Sequence, residues 1–202
     1  MTLAPGLYGI ADTTFGDPLT LGLALADGGA RVIQLRAKDW TTAQRVAACR
    51  ALVEHLRPRG VRLVMNDDLL AAEHGHADGL HLGQDDGSLS TARAILGPDA
   101  LLGRSTHNLE HVRRVDREAD YIGFGPVFHT QTKRAAGHAR GLDSLREAVA
   151  ESVLPVVAIG GIRHAHLPAV RATGARHWAV ISDILGHPDI SARARQFGPL
   201  AE

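Results

Sequence analysis

Short runs of branched and apolar residues recur along the chain, each bounded by polar or turn-forming residues. They are "LYGIA" (Leu7–Ala11), "RVIQL" (Arg31–Leu35), "RLVM" (Arg62–Met65), "GLHL" (Gly79–Leu82), "LLGRS" (Leu101–Ser105), "YIGFG" (Tyr121–Gly125), "PVVAIG" (Pro155–Gly160) and "HWAVIS" (His177–Ser182). Their starts lie roughly 20–30 residues apart, the spacing of a strand–helix–strand unit. Between them the apolar period lengthens to that of a helix. "TTAQRVAACRALVEHL" puts Ala43, Val46, Ala47, Ala51 and Leu52 near one face, with Thr41 or Thr42 as N-cap. "SLSTARAILG" begins at a serine cap and stops at Gly97-Pro98. "NLEHVRRV" and "RHAHLPAVRATGA" read likewise, and Pro168 falls in the first turn of the latter, where proline is tolerated. "RAAGHARGLDSLREAVAES" starts as a loop and becomes helical near Leu142.

Strands alternating with helices imply a parallel sheet. Eight such units predict a closed (β/α)8 TIM barrel in preference to an open doubly wound sheet. No linker, composition shift or low-complexity tract divides residues 1–202, so the expectation is a single domain, and 202 residues suit one barrel. Lys plus Arg equals Asp plus Glu, 22 of each, which gives no electrostatic case for nucleic acid or an anionic membrane. Any anion binding must then be local. Cys49, the single cysteine, cannot form an intramolecular disulfide and reads as a small core hydrophobe. The N-terminus lacks the pattern of a signal peptide, and no apolar run approaches the roughly 18 residues of a membrane span. The expectation is a soluble, cytoplasmic protein. The pattern does not fix the state of assembly; a homodimer is one option.

In such a barrel, catalytic residues stand where strands run into their following loops. Here the second strand ends in "QLRAKD", the third in "MNDD", the fourth in "HLGQDD", the fifth in "RSTHN", the sixth in "GPVFHTQTK", the seventh in "IGGI" and the eighth in "ISD". Gln34, Arg36 and Lys38 alternate, so one strand face presents an amide, a guanidinium and an ammonium, a set suited to a phosphate or diphosphate. Asp67 or Asp68, with Asp85 or Asp86, could supply the oxygen ligands that Mg²⁺ takes beside phosphate, or could be helix N-caps. Gly160 and Gly161, with the backbone after the eighth strand, form the kind of phosphate site that barrels build at their last two units. The chain therefore predicts a diphosphate site with metal on strands two to four and a monophosphate site on strands seven and eight.

The chain has twelve histidines. "HGH" and "HAH" lack zinc-site spacing, so His74, His76, His164 and His166 are expected away from the rim. His107 and His129 fall at the rim as candidates.

In order and spacing, "QLRAKD", "MNDD", "ADGLHLGQDD", "GRSTHN", "ADYIGFGPVFHTQTK", "PVVAIGGI" and "GARHWAVIS" resemble thiamine phosphate synthase, from about Leu7 to Ser182. The resemblance implies the (β/α)8 fold and the joining of hydroxymethylpyrimidine diphosphate to a thiazole phosphate with Mg²⁺, releasing diphosphate. It implies that Gln34, Arg36, Lys38, Asn66 and Ser105 bind the pyrimidine diphosphate and that Asp67 and Asp86 ligate Mg²⁺. Thr130 and Thr132 would contact the thiazole, Lys133 the diphosphate, and Gly161, Ile181 and Ser182 the thiazole phosphate. Arg36, Lys38 and Lys133 would stabilise the leaving group. The chain departs from the family's usual pattern at His129, where proline is common, in "YGIAD", and in "RAAGHAR". Two rival readings are a thiazole tautomerase on the same barrel, with His107 moving the proton, and a non-catalytic relative that binds thiamine phosphates. Asp67, Asp86 and Lys133 favour the synthase.

Overall fold

The computed structural model describes residues 3–130 and 138–198. Eight parallel strands close on themselves in sequence order: β1 Gly6–Asp12, β2 Val32–Arg36, β3 Arg62–Asn66, β4 Gly79–Leu82, β5 Leu101–Thr106, β6 Tyr121–Phe124, β7 Val156–Ile159 and β8 His177–Ala179. Every predicted strand is present. The ring is sealed by β1 on β8 through Gly6↔His177, Leu7↔Trp178 and Tyr8↔Ala179. The helices that follow the strands are α1 Pro18–Asp27, α2 Thr42–Leu56, α3 Leu69–Gly75, α4 Leu89–Leu96, α5 Leu109–Arg113, α6 Gly141–Glu151, α7 Leu167–Arg171 and α8 Ser182–Leu185, with α9 Ile190–Arg195 after them. The predicted caps form. Thr41 and Gln44 make a reciprocal capping box on α2, and Ser88 accepts from Ser90 N at the start of α4.

The face predicted for α2 is corrected. Its buried residues are Cys49, Leu52, Val53 and Leu56, whereas Ala43 and Ala47 are exposed. The C-terminal half of the helix packs on the barrel. Its first turns stand beyond the sheet, where Arg45 donates to Ala37 O, Lys38 O and Asp68.

Side-chain alternation splits the apolar residues into two cores. A larger outer core lies between strands and helices and includes Leu25, Ile33, Leu63, Leu80, Phe124 and Trp178. A smaller core fills the barrel itself with Leu3, Tyr8, Ile10, Val32, Val64, Leu101, Tyr121, Val157 and Ala179. At the N-terminal rim, Asp78 and Asp120 each sit just before a strand and accept from the backbone of a neighbouring one, Leu63 N and Leu102 N, at 2.9 and 2.8 Å. Arg57 and Arg93 pair with them. These acids are structural. Cys49 lies fully buried, and burial pushes its thiol up to about 12, so it is packing material and not a nucleophile.

Candidate active site

A pocket opens at the C-terminal rim, above the inner core. Its lining draws on all eight strands or their following loops and includes Gln34, Arg36, Lys38, Asn66, Asp67, Asp86, Ser105, Thr130, Gly161, Ile181 and Ser182. Eleven of the thirteen site residues that the resemblance implies thus meet in one concavity. The other two, Thr132 and Lys133, lie outside the described residues.

One wall is charged. Gln34 and Arg36 point inward from β2, and Lys38 follows on the next inward position past the strand end. Lys38 Nζ donates to Asp67 Oδ2 at 3.1 Å, and Asn66 Nδ2 donates to the same oxygen at 2.6 Å. Asp67 holds a left-handed backbone, φ 64°, directly after β3. Aspartate tolerates that conformation better than most residues, and it turns the carboxylate back over the barrel mouth. Its neighbour Asp68 does something else: it caps α3 by accepting from Ala71 N and is held by Arg45 at 2.9 Å. The two alternatives in "MNDD" are therefore resolved, one acid for the pocket and one for the helix. In "GQDD" the pocket acid is Asp86, and Asp85 does not line the pocket.

Asp67 and Asp86 hydrogen-bond each other. Burial raises the Asp67 carboxyl, but hydrogen bonds from Lys38, Asp86 and Asn66 outweigh it and leave Asp67 below the usual carboxylate range. Asp86 is raised, by burial first and by the Asp67 charge next. Two carboxyls this close share a proton, with Asp86 the one that keeps it, or hold a cation in the proton's place. Asp86 reaches its position because Gly83 has no side chain: Gly83 N donates to Asp86 Oδ2 at 2.9 Å, and a Cβ there would stand 2.4 Å from that oxygen. Arg104 ties down the loop that carries Asp86, donating to Gly83 O at 2.5 Å and Gly87 O at 2.9 Å.

The opposite wall is backbone. Gly160 and Gly161 have φ of 100° and 64°. A Cβ at Gly161 would meet His129 O at 2.4 Å, so the turn after β7 is packed directly under the segment that follows β6. Ile181 and Ser182 complete this side at the start of α8. The Gly125–Pro126 peptide is cis.

Three groups carry weight that the strand-end reading passed over. Asp12 ends β1 on an inward position. It is 1% exposed, accepts from Thr14 N and Thr14 Oγ1, and pairs with Arg36 Nη1 at 2.5 Å. The alternation Tyr8, Ile10, Asp12 could have revealed it. Tyr8 with Tyr121, and His81, form a polar floor beneath Gln34 and Ser105. Their letters sit inside "LYGIA", "YIGFG" and "GLHL", where they read as strand filling.

Among the histidines, His107 lines the pocket, with Nδ1 2.7 Å from Gly125 O. His129 is exposed and does not line it. The expectation that His164 and His166 stand clear of the rim needs correction. Both follow β7 in a 3-10 turn, and His166 stacks on Phe128 at 4.1 Å, because the segment after β6 folds over that turn. Neither lines the pocket.

The sequence profile described as thiamine monophosphate synthase matches residues 7–184. The thiamine-phosphate synthase of Syntrophomonas wolfei is 41% identical over 176 residues, covering 87% of this chain and 84% of that one. The thiamine-phosphate synthase of Methanocella arvoryzae is 40% identical over 193 residues, 94% of this chain and 91% of that one. A solved structure of thiamine phosphate pyrophosphorylase from Pyrococcus furiosus superposes with a TM-score of 0.86 at 31% identity, covering 95% and 92% of the two chains. The family match spans every strand of the barrel and every described wall of its pocket, and the chain belongs to the thiamine monophosphate synthase family.

Proposed function

We propose that this chain makes thiamine phosphate by joining a pyrimidinylmethyl diphosphate to a thiazole phosphate. The observation that carries the reading is the division of one pocket into a cationic and carboxylate wall from β2 to β4 and a backbone wall after β7 and β8. In the reaction, the bond between the pyrimidine methylene carbon and the diphosphate oxygen breaks, and its electron pair leaves with diphosphate. The thiazole nitrogen lone pair then forms the new carbon–nitrogen bond.

Such a step needs little acid–base machinery. It needs a stabilised leaving group and a held nucleophile. Arg36 and Lys38 would stabilise the diphosphate, and Lys133 is proposed to join them. Asn66 would bind the same substrate from β3, with Gln34 and Ser105 holding the ring beneath. Gly161, Ile181 and Ser182 would hold the thiazole phosphate through backbone amides, with Thr130 and Thr132 on its ring.

The donor set fits Mg²⁺. Among the described residues no cluster of three or more His, Cys, Asp and Glu could hold a metal by itself, but a hard cation bound beside a diphosphate commonly takes one or two protein carboxylates. Asp67 and Asp86 would be that pair, and bound Mg²⁺ would neutralise charge on the leaving diphosphate. Among the described residues no helix is long and apolar enough to cross a membrane; cytoplasmic residence and a homodimer remain part of this proposal.

The test is product formation from the two purified substrates with and without Mg²⁺. Thiamine phosphate formed only with the metal supports the reading. Conversion of a thiazole phosphate tautomer without pyrimidine or metal would assign the pocket to a tautomerase working through His107. Tight binding of thiamine phosphate without turnover would make it a sensor.

A further inference from the structure

A continuous line of hydrogen bonds crosses the floor of the pocket. Gln34 Nε2 donates to Tyr8 Oη at 3.1 Å, and Tyr8 Oη lies 2.7 Å from Tyr121 Oη. Tyr121 Oη lies 3.1 Å from His81 Nδ1, and His81 Nε2 lies 2.9 Å from Ser105 Oγ. The four residues below Ser105 are buried: Gln34 5%, Tyr8 4%, Tyr121 1% and His81 9% exposed. The chain has two tyrosines in all, and both stand in this line, packed among the apolar side chains of the barrel core.

The line has a direction. An amide nitrogen can only donate, so Tyr8 oxygen accepts from Gln34. Tyr8 has one proton, and a buried hydroxyl that leaves its proton unbonded costs free energy, so that proton goes to Tyr121. Tyr121 has one proton in turn and gives it to His81 Nδ1. A neutral imidazole whose Nδ1 accepts carries its proton on Nε2 and donates it to Ser105 Oγ. Ser105 is thereby an acceptor from below, and its own proton is directed into the pocket. At the other end, Gln34 has spent an N–H downward and keeps its carbonyl oxygen as an acceptor. The phenols stay protonated, because burial pushes both Tyr8 and Tyr121 well above the ordinary range. Gly103 reserves the space: a Cβ there would stand 2.2 Å from Tyr121 Cζ and 2.5 Å from His81 Nδ1.

We propose that Tyr8, Tyr121 and His81 are positioning residues that lock His81 as the Nε2–H tautomer, fixing Ser105 as a donor and Gln34 as an acceptor toward the bound ring. The ligand class selected is a heteroaromatic ring with an acceptor nitrogen for Ser105 and an exocyclic amine for Gln34. An oxo-pyrimidine, whose lactam offers N–H and C=O in the reverse sense, is rejected by unpaired donors and acceptors. The ring assignment rests on the synthase reading; the tautomer does not.

The experiment uses the full chain labelled with 15N-histidine, its His81 signals assigned by their loss in His81→Asn. Long-range 1H–15N correlation at about pH 8, above the ordinary imidazole pKa, reports which ring nitrogen holds the proton. The expected result is Nε2–H alone in the wild type and a tautomer mixture in Tyr121→Phe. In parallel, kcat/KM is measured for the amino-pyrimidine diphosphate and its 4-oxo analogue. Tyr121→Phe should lower the amino-to-oxo ratio by about tenfold or more, with KM for the thiazole phosphate unchanged. Tyr8→Phe, in which Tyr121 can still give its proton to His81, should keep Nε2–H and the wild-type ratio; if Tyr121→Phe does not fold, the wild-type tautomer still decides the proposal. An Nδ1–H tautomer in the wild type overturns the proposal. So does an equal loss with both substrates, which is what a purely structural role would give. If the tautomer is as expected but no turnover occurs with either substrate, the synthase reading fails and the ratio is read from calorimetric binding of the two diphosphates.

Discussion

Removing the Asp12 carboxylate should cost this protein both stability and its grip on the diphosphate. Asp12 is 1% exposed and accepts three hydrogen bonds, from Thr14 N at 3.0 Å, Thr14 Oγ1 at 2.7 Å and Arg36 Nη1 at 2.5 Å. Asp12→Ala leaves the Arg36 guanidinium without its anion and Thr14 N without its acceptor. Breaking a buried ion pair from one side costs about 3–5 kcal/mol. The Arg36 side chain is 14% exposed, so water partly replaces the lost partner and the lower end, about 3 kcal/mol, applies. In a domain of this size each kcal/mol moves Tm by about 2–4 °C, which puts the drop at about 6–12 °C. The freed guanidinium is also no longer aimed. A misplacement of about 1 Å can cost about 100-fold, so kcat/KM for the pyrimidine diphosphate should fall by that order while KM for the thiazole phosphate holds. Asp12→Asn keeps the shape and an acceptor for Thr14, so it should lose less stability than Asp12→Ala but much of the same activity. Calorimetry and steady-state kinetics with each substrate varied in turn measure both effects. A Tm within about 2 °C of wild type, together with unchanged kinetics in Asp12→Ala, would refute the coupling of β1 to the cationic wall.

Asp67→Asn and Asp86→Asn should each lower turnover at least about 100-fold and weaken its Mg²⁺ dependence, measured as kcat against metal concentration. Gly161→Ala forces a Cβ against His129 O on a left-handed backbone, which costs about 1–3 kcal/mol and should raise KM for the thiazole phosphate more than for the pyrimidine diphosphate. Arg104→Met should loosen the loop carrying Asp86, seen as faster hydrogen exchange at Gly83 to Gly87 and a higher Mg²⁺ requirement. Burial holds His177 below the ordinary imidazole pKa, so the unfolded chain takes up a proton that the folded one refuses. Stability should then fall as pH drops below about 6.5, with a shallower loss in His177→Asn, followed by urea unfolding between pH 7 and 5.5.

The parts of the fold that repeat were legible because repetition is what period-2 and period-3.6 patterns report. The number and order of the strands, the Thr41 cap on α2 and the rim location of Gln34, Arg36 and Lys38 all follow from local chemistry, whereas strand bounds shift by a residue or more and "HWAVIS" ends early, at Ala179, with Ser182 opening α8. The buried face of α2 was misread because Ala43 and Ala47 are apolar yet exposed, with Ala47 on an open concavity beside Pro18, Leu19 and Trp40, and their small side chains give no signal of which face is covered. The choice between Asp67 and Asp68 needed the turn at Asp67, and neither letter announces a positive φ. His81 and the tyrosines were missed for a different reason. Polar side chains inside a barrel look like ordinary strand residues until the register brings β1, β4, β5 and β6 together around Gly103.

The closure of β1 on β8 has a consequence for how the protein gains its activity. Asp12, Tyr8 and Ile10 come from the first strand, and Ile181 and Ser182 from the segment after the last. The pocket is therefore complete only when the two ends of the chain have met, across three residue pairs. A partly built ring holds the cationic wall without its anchor at Asp12 and without the facing backbone wall. If substrate binds as proposed, binding should report ring closure, and a substrate that binds only the closed ring should stabilise it by mass action. Under the proposed function, the two substrates would add to the strand pairing that already joins β1 to β8.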